Sequence, residues 1–316
     1  MTPWLLSGLG LLILLLAGDS LVKGAVNLSL RLGVPALIVS LTIVAFGTSA
    51  PELLISVQAI LEGAPGLALG NVVGSNTANI LLVLGLPAIL AVMHTSECDT
   101  RKTYVFMIVG TLVFILLAFV FGRFDWVTSV ILLALLSYVL GDAFRDARKH
   151  RAAEEASDLE EPEGADPDMP VWRIAIFLIL GLIGLPLGAD LLVDNATIIA
   201  KEYGVTDTVI GLTLVAVGTS LPELATTMMA ALRRQADVAL GNVIGSNMFN
   251  LLAIIGIAGF VGPIPVDPEF FHFDFWVMLG ASVLLAPFVF LKWNITRFWG
   301  VLLSLAYVGY LVLLLA

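Results

Sequence analysis

The chain has 316 residues, of which 59% are hydrophobic and only 13% charged. That balance would not keep a domain of this size in water, so a soluble enzyme is excluded and an all-α integral membrane protein in a lipid bilayer is expected. Much of the net charge of −10 falls in one acidic stretch, so it says little about partners, and no nucleic acid is expected among them.

About 20 apolar residues carry a helix across ~30 Å of hydrocarbon. Ten stretches qualify, near residues 4–29, 36–60, 67–92, 103–121, 126–144, 171–198, 206–231, 238–262, 272–291 and 296–315. The first has no basic residue ahead of its apolar run, unlike a signal peptide. Asp19 to Val34 also aligns with Asp190 to Val205 in the middle of the chain, so the first stretch is read as part of the mature fold. Between the fifth and sixth stretches lies a polar linker, residues 145–170, with eight acidic residues from Glu154 to Asp168 and no basic residue among them. It lacks EF-hand spacing and is read as a solvated connector. Cys98 is the single cysteine, which excludes an internal disulfide.

Basic residues set the orientation. With the N-terminus outside, the inner loops and helix ends hold twelve of the 15 Lys and Arg, including Arg101, Lys102, Arg145 and Arg233, against Arg123 and Lys201 outside. Lys23 lies within the first stretch and is not counted. By the positive-inside rule both termini are then outside and the linker is cytoplasmic, in a plasma (inner) membrane protein.

One stretch occurs twice. Residues 41–53 read LTIVAFGTSAPEL and residues 212–224 read LTLVAVGTSLPEL, 171 positions later, with ten of thirteen positions identical. The same offset places ALGNVVGSNTAN at 68–79 on ALGNVIGSNMFN at 239–250, with nine of twelve identical. Five apolar stretches separate the starts of the copies, so the second half enters the membrane from the opposite side. The expected architecture is therefore ten transmembrane helices as two inverted-topology five-helix repeats, residues 1–144 and 171–316. Such repeats favour a secondary transporter with a site at mid-membrane, although channels are built with repeats too and inversion alone does not decide.

An ionised side chain at the bilayer centre costs ~3 kcal/mol or more, so Glu52 and Glu223, inside their apolar stretches, are read as functional. Pro51 and Pro222 have no N–H, which breaks each helix and strips the carbonyls of Gly47 and Gly218 of their helical partners. Thr48, Ser49, Thr219 and Ser220 add hydroxyl oxygens beside the breaks. A kink satisfied by its own Thr and Ser would explain the break but not the glutamate. On the following helices, Gly70 with Gly74 and Gly241 with Gly245 have the spacing of close helix packing. Ser75 with Asn79, and Ser246 with Asn250, then share one helical face. For Asn76 and Asn247, interhelical hydrogen bonding is favoured over ligation. All the donors are oxygens, which suits hard cations such as Ca2+. No His or Cys cluster favours zinc or copper, and His94, His150 and His272 lie at segment ends or in the linker. Two carboxylates balance one Ca2+, two Na+ or two protons, and ions competing for one alternating-access site are exchanged.

At these residues the chain resembles the calcium/cation antiporter superfamily, in particular its prokaryotic sodium/calcium exchangers. The resemblance rests on both GTSxPE copies, both GNVxGSN copies and ten segments with a linker after the fifth. It implies that Glu52 and Glu223 are the acidic ligands, with oxygens from Thr48, Ser49, Ser75, Thr219, Ser220 and Ser246 and from the carbonyls of Ala45 and Ala216. It further implies three Na+ for one Ca2+, first and sixth helices that slide to switch access, no cofactor and action as a monomer. Asn250 stands where potassium-dependent relatives carry Asp, so potassium dependence is not expected. The proton-coupled branch has G-N-x-x-E in place of G-T-S-x-P-E, which favours Na+ over H+ here, with Ca2+/H+ antiport through the same glutamates as the alternative. A cation channel would need a filter-like loop, which is not seen. Asp19 and Asp190 hold matching places in the sliding helices: Lys23 could neutralise Asp19, whereas its counterpart Asp194 is a second acid.

Overall fold

A computed structural model of the chain describes residues 2–154, 166, 168–204 and 216–315. In chain order the helices are α1 (Thr2–Leu32), α2 (Ala36–Thr48), α3 (Ala50–Leu61), α4 (Pro65–Leu90) and α5 (Arg101–Phe121). The two-residue strand β1 (Arg123–Phe124) precedes α6 (Trp126–Glu154) and α7 (Val171–Glu202). Next come α8 (Ala216–Gly218), α9 (Leu221–Leu232) and α10 (Ala236–Val261). Strand β2 (Ile264–Pro265) leads to α11 (Phe270–Phe290) and α12 (Arg297–Leu315).

Eight of these helices are long and apolar enough to cross a membrane, and α2 with α3 make a ninth span bent by 41°. Of the expected stretch at 206–231, residues 206–215 lie outside the described residues, and the remainder forms α8 and α9. Helix α6 continues beyond its apolar span into the polar stretch, as far as Glu154. Most of the remaining acidic connector, residues 155–165, lies outside the described residues. At its far end the Asp166 amide donates to Asn27 Oδ1 on α1 at 2.9 Å.

Helix α10 is 89% buried over its most apolar window and α4 78%, whereas α7 and α12 are 22% buried; the two GNVxGSN helices therefore form the centre. Large apolar side chains such as Leu5, Leu116 and Phe298 are left exposed on the rim, as a lipid-facing surface requires. Four of the described helices contain π-helical turns, and two of these turns lie at corresponding places, Asn79–Val83 in α4 and Phe249–Ile254 in α10. Such turns insert an extra residue and commonly sit at functional positions.

Contacts recur at the sequence offset. Phe124 pairs with Ile264 in the β1–β2 ladder, and the positions 171 away from each, Ile295 and Met93, form an antiparallel bridge. Helices α1 and α7 run antiparallel: Gly10 faces Leu192, Leu21 faces Gly181, and Gly24 faces Leu178.

Candidate cation-binding site

Helix α2 stops at Thr48 and α3 begins at Ala50, so the break falls on Ser49, with φ −86° and ψ 2°. The second copy breaks in the same way at Ser220, with φ −89° and ψ 3°. Pro51 and Pro222 fill the first turn of each new helix, where a missing N–H costs nothing. Glu52 and Glu223 stand in that same turn, where the positive end of the helix dipole favours an anion. Both are buried, at 1% and 0% exposure, despite the apolar surroundings.

Residues from the two halves meet around Glu223. Its Oε1 accepts from Ser49 Oγ at 3.3 Å and from Ser246 Oγ at 3.4 Å. Thr48 Oγ1 lies 3.4 Å from Ser246 Oγ and 3.3 Å from both the Ala45 carbonyl and Asn242 Oδ1. The Ala45 carbonyl also accepts the Ser49 amide at 3.0 Å, so the break leaves it inside a helical bond. Ala216 opens α8, and Thr219 Oγ1 donates to Asn71 Oδ1 at 3.4 Å. Glu52 lies one turn after Thr48 and Ser49 and within electrostatic reach of Glu223.

Close packing brings these elements together. A Cβ at Gly245 would sit 2.6 Å from the Leu41 carbonyl, and one at Gly241 2.8 Å from the Leu37 carbonyl, so α10 lies directly against α2. At the crossing of α4 and α10, Asn76 Nδ2 donates to the Asn247 carbonyl at 3.2 Å and Asn247 Nδ2 to the Asn76 carbonyl at 3.4 Å. Asn79 Nδ2 donates to Asn247 Oδ1 at 3.0 Å, which leaves Asn79 Oδ1 without a partner.

Among the described residues, many buried polar atoms on these contacting helices are unpartnered: both Glu52 oxygens, Glu223 Oε2, Ser75 Oγ, Ser220 Oγ, Asn79 Oδ1, and Oδ1 and Nδ2 of Asn250. A buried polar atom left unsatisfied costs about 1–3 kcal/mol, so this many on helices that contact one another call for a ligand. All but one are oxygens, including both carboxylates, which is the donor chemistry of a hard cation.

Asp19 is held at 2.9 Å by Lys23 and also by Arg233, a partner from the other half that no sequence pattern announced. Asp190 and Asp194 instead line a cavity of about 130 Å3, together with Pro51, Ile55, Ala189 and Thr219. Asn71 and Asn242, inside the repeated GNVxGSN, were not singled out for a role by sequence, although their duplication was visible.

A membrane-spanning helical fold with a buried oxygen cluster drawn from two similar halves defines a cation-transport class of protein. The family described as sodium/calcium exchanger protein matches residues 2–141 and 173–316, and the chain belongs to it. Its members are transporters rather than enzymes. The sodium/calcium exchanger MaX1 of Methanosarcina acetivorans is 34% identical over 97% of this chain and 96% of its own length. The inner membrane protein YrbG of Escherichia coli is 32% identical, over 96% of this chain and 94% of its own. A solved structure of the sodium-calcium exchanger NCX_Mj, soaked with Na+ and Sr2+, superposes with a TM-score of 0.82 at 31% identity, covering 98% of each chain.

Proposed function

We propose that this protein is a secondary antiporter that exchanges Na+ for Ca2+ across the plasma (inner) membrane by alternating access. Glu52 and Glu223 supply the charge, and Thr48, Ser49, Ser75, Asn79, Thr219, Ser220, Ser246 and Asn250, with the carbonyls of Ala45 and Ala216, supply the remaining oxygens. The observation that carries the reading is the set of buried oxygens, unpartnered among the described residues, on contacting helices that also hold two buried carboxylates, one from each half. A single chain provides the whole set, so one copy suffices for transport.

Ten spans in two inverted five-helix repeats, residues 1–144 and 171–316, complete the reading. Support comes from the contacts related by 171 positions and from the antiparallel run of α1 and α7. With the N-terminus outside, the cavity beside Asp190 and Asp194 faces the outer side, and the ion cluster on Asp19 faces the cytoplasm.

Proteoliposomes test the counter-ion. With pH clamped, an outward sodium gradient should drive Ca2+ uptake into the vesicles. Uptake that ignores sodium and tracks an imposed proton gradient would replace Na+ by H+ at the same glutamates.

A further inference from the structure

Asn71 and Asn242 occupy equivalent places, 171 residues apart, and belong to no ligand set named above. Asn242 is fully buried, with Oδ1 3.3 Å from Thr48 Oγ1. Its Nδ2 donates to the Glu223 carbonyl at 3.3 Å and to Thr227 Oγ1 at 3.1 Å. One amide thus ties the last turn of α2, in the first half, to the first turns of α9, in the second.

Asn71 makes only part of that pattern. Its Oδ1 accepts from Thr219 Oγ1 at 3.4 Å, matching the contact of Asn242 with Thr48. Its Nδ2, however, is buried without a partner among the described residues, and so is Ser56 Oγ, the counterpart of Thr227. The groups that could bond are present on both sides and bonded on one. Helix packing differs between the same two sides. Helix α9 is covered by α1, where a Cβ on Gly18 would stand 2.9 Å from the Ala225 carbonyl. Helix α3 instead borders the cavity through Pro51 and Ile55.

We propose that Asn71 and Asn242 are a pair of alternating positioning residues for the transport site. Whichever broken helix is covered by its sliding partner has its glutamate backbone clamped by the amide. In the present state Asn242 holds Glu223 and Thr227, and Asn71 is released. In the opposite state Asn71 closes on Ser56 and the Glu52 carbonyl, and Asn242 lets go of Thr227. The exchange swaps hydrogen bonds without net loss, so the two states stay close enough in free energy to interconvert. This inference rests on the reading of Glu52 and Glu223 as the ion site.

The test is labelling by a water-soluble thiol reagent in a Cys98→Ser background, with one cysteine placed at Ile55→Cys or at its counterpart Thr226→Cys. A transmembrane hydrogen bond is worth about a threefold population shift. Asn242→Ala should therefore lower the ratio of labelling at position 55 to labelling at position 226 about threefold. Thr227→Val should do the same, and it carries the expectation alone if Asn242→Ala does not fold. Asn71→Ala should shift the two sites in the reverse sense or leave position 55 fully labelled. Labelling that moves in the same direction for both asparagine variants, or in neither, overturns the inference. Because labelling is read without ion flux, it separates this outcome from wild-type vesicles that show no sodium-driven uptake, which would overturn the exchange reading instead.

Discussion

Helices α1 and α7 hold equivalent places in the two halves, yet they meet the broken helices in different ways. On one side Gly18 of α1 reaches the backbone of α9 at Ala225, which is only 7% exposed. On the other side the corresponding residues are larger, Ala189 and Leu54, and Leu54 is 71% exposed. Charge divides in the same way. Asp19 is neutralised by Lys23 and Arg233, whereas the counterparts of those three residues are Asp190, Asp194 and Glu62, all acids. One side can therefore seal through close backbone contact and an ion cluster, whereas the other has acids at all three of those positions. Two halves with nearly identical repeated motifs are made unequal by the residues that flank those motifs.

Changes at the shared centre should be the most damaging. Glu52→Gln or Glu223→Gln should abolish sodium-driven Ca2+ uptake while the protein remains extractable and monodisperse; near-normal uptake by both variants would remove the pair from the site. Next comes the seal itself. Gly18→Val places side-chain atoms where the α9 backbone already stands, and overpacking of this kind costs about 1–3 kcal/mol. It should lower the labelling of Ile55→Cys by shifting the protein away from its present state, and unchanged labelling would show that the contact does not hold the seal. Asp19→Asn should have a smaller effect in the same direction, about 1–2 kcal/mol, because the three side chains are 19–35% exposed and partly screened. High salt should mimic it in wild-type protein and add little to the variant. The smallest effect is expected at Leu54→Ala, within about 0.5 kcal/mol in thermal unfolding, since its side chain has almost no protein to lose. A large loss there would mean that α3 is covered by α7 in the state that dominates in solution.

Hydropathy located the spans to within a few residues at most ends because burial in lipid is a local requirement. The apolar span of α6 ends near Ala147, close to the expected 144, while the helix itself continues to Glu154 because backbone hydrogen bonds do not need apolar side chains. The helix breaks were legible from Pro51 and Pro222, because a missing N–H acts within four residues. The π-helical turns at Asn79–Val83 and Phe249–Ile254 were not, since neither contains a proline or glycine to mark it. The same holds for Arg233, which is 214 positions from Asp19, and for the amide of Asn242, whose partners come from α2 and α9.

By itself the sequence determined the membrane class, the places where helices break, and the duplicated set of oxygen-bearing residues, all properties written within one or two helical turns. Only the tertiary structure decided which of two equivalent glycine, alanine and asparagine contacts is made and which is open. Identical residues in two halves carry no information about that choice. It arises when neighbours far apart in the chain, Gly18 with Ala225 and Asp19 with Arg233, are brought together.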